Sequence, residues 1–479
     1  MKNTLFYIPI LCCLLNFNVI AQQKPLMNTR PNIVFILADD MGYNDLGCYQ
    51  NNYVNTPNID GLARDGWRFT QGYVNAPNCA PSRACLLSGK FTPRHAIYTV
   101  SESTRGDAKD RKLIPVLNKT QLDTSFVTFA EGLTKRGYQC ISIGKWHLGE
   151  GAFSPLGQGF QQNIGGSDAG AVKSHFSPFK TPLPNLGDEP DGKFLADALT
   201  DKAVEYIAAK HDKPFCLYLP YYSIHTPVQA PDSLIQKYKN LLPANAPISP
   251  IYAAMIENLD ANVGRVVNEI NKAGLNENTM IIFLSDNGPV LNYTTVNLRG
   301  EKGSLYEGGI REPLIIKWAN HLKPGQVIQQ PVMAADFYPT FMELAGLPKT
   351  QWPKNLDGTS LLPLLAGGQL PYERLMVWHF PAYLETYNKK NPLRVWRETP
   401  SSAIRYGDWK LIRHYGNHKT ELFNLAEDSK ETKDRYTAKP EKAKQLEKLL
   451  DGYLKKTNAF IPTELNPAYV PTAYNDLDY

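Results

Sequence analysis

PNIVFILADD, residues 31–40, is the stretch whose reading decides the fold. Ile33 to Ala38 are apolar without a break, and two acids close the run. A strand with one wet face alternates apolar and polar residues. An unbroken run reads instead as a strand buried on both faces, as in a parallel sheet covered by helices. TMIIFLSDNG (279–288) repeats the pattern, and QCISIGKWH (139–147) and PFCLYLPYYSIH (214–225) are further apolar strands running into polar loops.

Helical spacing lies between these strands. TPNIDGLARDGWRFTQGYV (56–74) carries Ile59, Leu62 and Ala63 at helical spacing and then a short strand. SFVTFAEGLTKRGY (125–138), DALTDKAVEYIAAKH (197–211) and YAAMIENLDANVGRVVNEINKAG (252–274) read as helices. In NCAPSRACLLSGK (78–90), a Pro-Ser-Arg turn precedes Ala84 to Leu87, which open a helix that stops at Gly89. Strands and helices alternate to about residue 345, which predicts a wound α/β sheet sandwiched by helices. ADD, GKWH, YYSIH and SDNG each sit just past the end of an apolar strand. That edge of an open α/β sheet is where ligands bind, so the four clusters are expected on one rim.

After QLPYERL (369–375) the texture changes to short strands rich in aromatics and arginine. DWKLIRHYGNHKTELFNL (408–425) reads as a hairpin around Gly416–Asn417, and KPEKAKQLEKLLDGYLKK (439–456) as a charged amphipathic helix. The division is a main domain over 27–372 and a small α+β unit over 373–479. Trp378, His379 and Tyr383, with Arg394, Arg397 and Arg405, offer sugar stacking and anion contacts or packing between the units; packing is the favoured reading.

Composition excludes other classes. The chain has 479 residues, 43% hydrophobic and 20% charged, with a formal charge of +5 and no long run of one sign. No basic stripe or reader motif points to nucleic acid. Residues 1–21, MKNTLFYIPILCCLLNFNVIA, read as a secretory signal: Lys2 is a positive start, Leu5–Leu15 an apolar core too short to span a bilayer, and Val19 and Ala21 suit a cleavage site. The expected location is therefore periplasmic or secreted, with no membrane span. Five cysteines remain, Cys48, Cys79, Cys85, Cys140 and Cys216, too sparse for a disulfide scaffold, and their odd number leaves a thiol over. Nothing in the sequence sets an oligomeric state.

Asp39 and Asp40 at one strand end, and Asp286 and Asn287 at another, favour an oxygen-only site for a hard dication, Ca²⁺ or Mg²⁺. Lys145 and His147 face one side if extended, and His225, Lys302 and Arg83 lie near other strand ends. The cysteine stretch orders these pieces. CAPSRACLLSGK (79–90) resembles the type I sulfatase signature, with Ser88 and Lys90 where Thr and Arg are usual. PNIVFILADDMG, GKWHLG, HTP, FLSDNG and GEKGSLYEGGIREP follow in family order over residues 30–345, and the final hundred match weakly.

The resemblance implies an alkaline phosphatase-like fold, with a large mixed sheet and a C-terminal subdomain carrying an antiparallel sheet. It implies that a maturation enzyme converts Cys79 to formylglycine, and that Asp39, Asp40, Asp286, Asn287 and residue 79 bind one Ca²⁺. Arg83 and His147 are then expected at residue 79, Lys145 and Lys302 on the sulfate, and His225 as acid for the leaving alcohol. His95 and His175, in loops after matching blocks, are candidate substrate contacts. The implied activity is hydrolysis of sulfate esters, with a sulfated saccharide as the favoured substrate. The alternatives are a phosphomonoester or phosphonate ester hydrolase and a catalytically silent sulfoglycan-binding protein.

Overall fold

A computed structural model describes residues 26–294, 297–386 and 395–471. The leader expected at 1–21 and Arg394 lie outside the described residues. The main sheet is built from β1 (Asn32–Ala38), β2 (Trp67–Tyr73), β3 (Gln139–Ile143), β4 (Gln162–Ile164), β5 (Phe215–Pro220), β6 (Thr279–Ser285), β7 (Arg311–Trp318), β8 (Gln326–Ile328) and β9 (Val332–Met333). Its order is β4-β3-β5-β1-β6-β7-β2-β8, with β9 beside β2. Strands β4, β3, β5, β1 and β6 pair in parallel, and β7 runs against both of its neighbours. The sheet is therefore mixed.

The apolar run of β1 is explained by two cores. Ile33, Phe35 and Leu37 join Phe129, Phe337 and Phe341 on one face. Val34, Ile36 and Ala38 join Leu199, Ala203, Leu259 and Val263 on the other. The helices Leu195–Ala208 and Pro250–Lys272 cover that second face. A polar residue on either side would have to be buried, so none appears between Ile33 and Ala38.

Two helices differ from their sequence reading. The helix around Cys85 opens at Cys79 itself and runs to Ser88, so Pro-Ser-Arg is its first turn rather than a turn before it. Pro81 is tolerated there because the first N–H groups of a helix have no intrahelical partner. Gly89 closes it in the left-handed region, φ 66°, donating to Cys85 O at 2.9 Å. The 125–138 segment is helical only over Phe129–Thr134, because Thr128 caps it reciprocally with Glu131.

Six strands follow: β10 (Met376–Phe380), β11 (Leu384–Glu385), β12 (Trp396–Glu398), β13 (Ser401–Tyr406), β14 (Trp409–His414) and β15 (Thr420–Asn424). A four-stranded antiparallel sheet has the order β10-β13-β14-β15, and β11 and β12 form a separate ribbon. The hairpin falls where expected, with β14 paired to β15. Leu446, Leu450 and Leu454 of the helix Pro440–Lys456 are buried. Phe423 and Phe35 belong to one continuous core, so the two sheets share their interior. Trp378, His379, Tyr383 and Arg405 are all buried. Trp378 Nε1 donates to Val74 O at 2.7 Å and Arg405 to the Tyr73 hydroxyl at 2.6 Å, so these residues pack the units together. Among the described residues no helix is long and apolar enough to cross a membrane.

Candidate active site

Strands β3, β5, β1 and β6 are adjacent and parallel, so their C-terminal ends form one rim. The backbone stays laced beyond the strands. Asp39 N donates to Ser223 O (2.8 Å), Asp286 N to Ala38 O (3.0 Å) and Lys145 N to Pro220 O (2.7 Å). Ser285 Oγ accepts from Met41 N and donates to Asn287 O, each at 3.0 Å, pinning the two acid-bearing loops together. Ser285, the first residue of the SDNG cluster, ends β6 in this role.

On this rim the predicted residues meet. Arg83, fully buried, reaches Asp286 Oδ2 (2.7 Å) and donates to Lys145 O (2.8 Å). Lys145 Nζ lies 2.6 Å from Asp39 Oδ2, and Lys302 Nζ 2.6 Å from Asp40 Oδ1. His225 Nε2 lies 3.6 Å from Asp40 Oδ2 and is partly exposed, at the mouth of the site. Asp40 (φ 65°) and His147 (φ 62°) both adopt left-handed backbone, a strain typical of functional sites. Gly170 lies so close to the His147 ring that a Cβ there would come within 2.5 Å of it.

The electrostatics separate the roles. Burial raises the Cys79 thiol, yet Lys145 and Lys302, with hydrogen bonds from His147 and His225, outweigh it and hold the thiol well below its usual range. Residue 79 therefore sits in a slot made for an anion. Burial pushes His147 below the ordinary imidazole value. His225 is depressed by burial and Lys302, but Asp40 and Asp39 prevail and raise it. The two imidazoles are thus pushed in opposite directions, His147 toward the neutral form and His225 toward the charged one, the pattern of a base and an acid.

Three acids here, Asp39, Asp40 and Asp286, face three buried basic side chains, Arg83, Lys145 and Lys302, so charge balance alone does not require a cation. The donor set still fits one. Asp39 Oδ1 and Asn287 Oδ1 are buried with no hydrogen-bond partner. The Asn287 amide donates to Asp40 Oδ1 at 2.8 Å, which leaves its oxygen as the free end. Burial and the Asp39 charge push Asp286 up to about 8 despite Arg83. Ligand atoms of Asp39, Asp40, Cys79 and His225 lie within 4.8 Å of one another. That group does not include Asp286 or Asn287; its two carboxylates, together with the unpartnered Asp39 and Asn287 oxygens, are the hard donors a dication of the Ca²⁺ or Mg²⁺ kind takes.

His95 and His175, the candidate substrate contacts, are both 1% exposed and are held by protein atoms. His95 Nδ1 accepts from Ile97 N, so Nε2 donates to Cys85 Sγ at 3.3 Å, and burial takes the ring down to about 3. These contacts tie it to the helix that carries Cys85. His175 Nε2 donates to His225 O at 3.2 Å and the ring stacks on Phe194, so it braces the His225 loop from behind. The five described cysteines are free thiols, and Cys85 is fully buried.

Comparisons agree with this site. The family model described as Sulfatase matches residues 31–347, and the model for the C-terminal region of N-sulphoglucosamine sulphohydrolase matches residues 300–459. A sulfatase of Formosa agariphila is 33% identical, covering 92% of this chain and 91% of that protein. Human arylsulfatase A is 36% identical over 74% of this chain and 71% of its own length. The crystal structure of Ps i-CgsB in complex with k-i-k-neocarrahexaose superposes with a TM-score of 0.74 at 28% identity, covering 88% of this chain and 92% of that one. With the anion slot, the acid-bearing rim and these matches together, the chain belongs to the sulfatase family, enzymes of alkaline phosphatase-like fold that hydrolyse sulfate esters.

Proposed function

We propose that this sulfatase removes sulfate from a sulfated sugar of a polysaccharide or glycosaminoglycan, in the periplasm or outside the cell, with Cys79 converted to formylglycine and one Ca²⁺ held by Asp39, Asp40, Asp286 and Asn287. The carrying observation is Cys79 at the first position of a helix, buried among Lys145, Lys302, His147 and His225. The saccharide class is supported by the relative solved with a neocarrahexaose. The modified residue supplies an oxygen nucleophile in place of sulfur, and the cation supplies positive charge at the sulfate oxygens.

The chain's own groups do the rest. Lys145 and Lys302 bring two ammonium groups to the sulfate oxygens, preorganised by Asp39 and Asp40. Arg83, clamped by Asp286 and the Lys145 carbonyl, holds its charge beside residue 79. Neutral His147 takes the proton at residue 79. His225, whose proton Asp40 and Asp39 favour, gives one to the leaving sugar oxygen, a step worth ~10²- to 10⁴-fold for an unactivated alcohol. Cys79 is 1% exposed once folded, so the maturation enzyme meets Cys-x-Pro-Ser-Arg in the unfolded chain.

Peptide mass analysis of active enzyme tests this. Conversion of Cys79 lowers the mass by ~18 Da, the difference between the atoms exchanged in the modification. Desulfation of defined sulfated saccharides, with Cys79→Ala inactive throughout, is the expected companion result. An ordinary thiol at residue 79 in every molecule of active enzyme sinks the proposal.

A further inference from the structure

The loop that carries Lys302 is held from three sides. Lys302 N donates to Pro289 O (2.9 Å), just past the Asp286–Asn287 pair, and Gly303 N donates to Pro77 O (2.8 Å), just before Cys79. The third side is the β11–β12 ribbon of the C-terminal region. Arg397, 3% exposed, donates from its NH1 nitrogen to Lys302 O (3.0 Å) and from Nε to Glu385 O (2.7 Å). Its neighbour Glu398, fully buried, accepts from Leu305 N at 2.9 Å. Leu384 lies against Gly303 so closely that a Cβ there would come within 2.2 Å of it. The first two anchors are backbone to backbone. The ribbon anchor depends on side chains.

We infer that Arg397 is a positioning residue for sulfate-ester hydrolysis, setting the height of Lys302 over the anion slot by forking between the carbonyls of Lys302 and Glu385. It touches no reacting atom in this role. Its guanidinium is always charged and planar, so it satisfies two carbonyls at a fixed separation, the Lys302 one buried, which a lysine ammonium cannot reproduce. A displacement of about 1 Å in a group that meets the transition state costs on the order of 10²-fold in rate. The inference rests on the proposed role of Lys302.

The test uses the full-length mature enzyme with para-nitrophenyl sulfate. Arg397→Gln and Arg397→Lys are made alone and in a Lys302→Ala background, and kcat and KM are compared beside thermal unfolding. Expected is a fall in kcat of ~10- to 10²-fold for Arg397→Gln, with a smaller loss for Arg397→Lys. The same substitutions should cost less than about 2-fold more once Lys302 is gone, because residues that act through one group are not additive. Equal losses in both backgrounds overturn the inference, since they mark a role in general stability. So does near-normal turnover of Arg397→Gln when Lys302→Ala is impaired. A fully active Lys302→Ala fails the underlying reading of Lys302 instead, and the inference falls with it.

Discussion

At the scale of single residues, the site depends on places where only one side chain fits. Gly144, immediately before Lys145, has φ 118°, and a Cβ there would lie 2.0 Å from Pro220 O. That oxygen is backbone, and it also accepts from Lys145 N at 2.7 Å, so it has no room to yield. Gly144→Ala is expected to lose at least ~2 kcal/mol, from left-handed strain together with the clash. Because the displacement falls on Lys145, kcat should drop further than the fraction of folded enzyme accounts for. Denaturant unfolding and steady-state kinetics on one preparation check this; wild-type values for both would contradict the geometry. The rim residues were legible because polar clusters follow four apolar strands and because the stretch around Cys79, with its companion motifs, resembles the sulfatase signature. Arg397 was singled out there only as one of several arginines. Two of its partners are backbone carbonyls, which have no signature in a sequence.

At the scale of elements, legibility followed the source of each element's stability. Strands β1, β5 and β6 take theirs from burial on both faces, so the apolar run marked them directly. The Phe129–Thr134 helix takes much of its own from a cap, and periodicity overran it. Thr128 Oγ1 accepts from Glu131 N at 3.3 Å and donates to Gln158 O at 2.7 Å, while Thr128 N donates to Glu131 Oε2 at 2.7 Å. Thr128→Ala removes the cap and orphans a buried carbonyl, for a loss of about 1–2 kcal/mol. Thr128→Ser, which keeps the hydroxyl, should recover most of it. None of these atoms touches the rim, so kcat per folded molecule is expected to stay unchanged in both variants. A loss of turnover at full folding would mean that this helix acts on the site by a route absent from its contacts. The helix beginning at Cys79 was misread for the opposite reason. Pro-Ser-Arg has turn composition, and only its position at a helix start makes it helical.

At the scale of the whole molecule, the two sheets are joined by a buried polar seam as well as a common core. Lys410 Nζ lies 2.9 Å from Glu307 Oε1 and 2.8 Å from Glu431 Oε1, linking β14 to the loop region that follows Lys302. Thr92 donates to His379 O at 2.9 Å, tying the short helix that ends at His95 to β10. His379 itself is enclosed, with Nδ1 2.6 Å from Ser402 Oγ and Nε2 donating to Phe460 O at 3.0 Å. Burial, above all, takes His95 down to about 3 and His379 down to about 4. An unfolded histidine takes up its proton near pH 6.5, whereas these two stay neutral in the folded chain well below that. Between those values the unfolded state binds more protons, so stability is full above pH 6.5 and falls as the pH drops toward 4. Each histidine contributes a slope approaching about 1.4 kcal/mol per pH unit. From pH 7 to pH 4.5 each of these two histidines should therefore contribute a decline in unfolding free energy, set against the buried carboxyls of Asp45, Asp286 and Glu431, whose raised values act in the opposite sense over the same range. His379→Gln, which keeps an amide for Ser402 and Phe460, should lower the plateau above pH 7 but flatten the decline by about one histidine's share. Parallel curves for the variant and the parent would show that the seam does not open to protons when the molecule unfolds, and that its acid sensitivity comes from elsewhere.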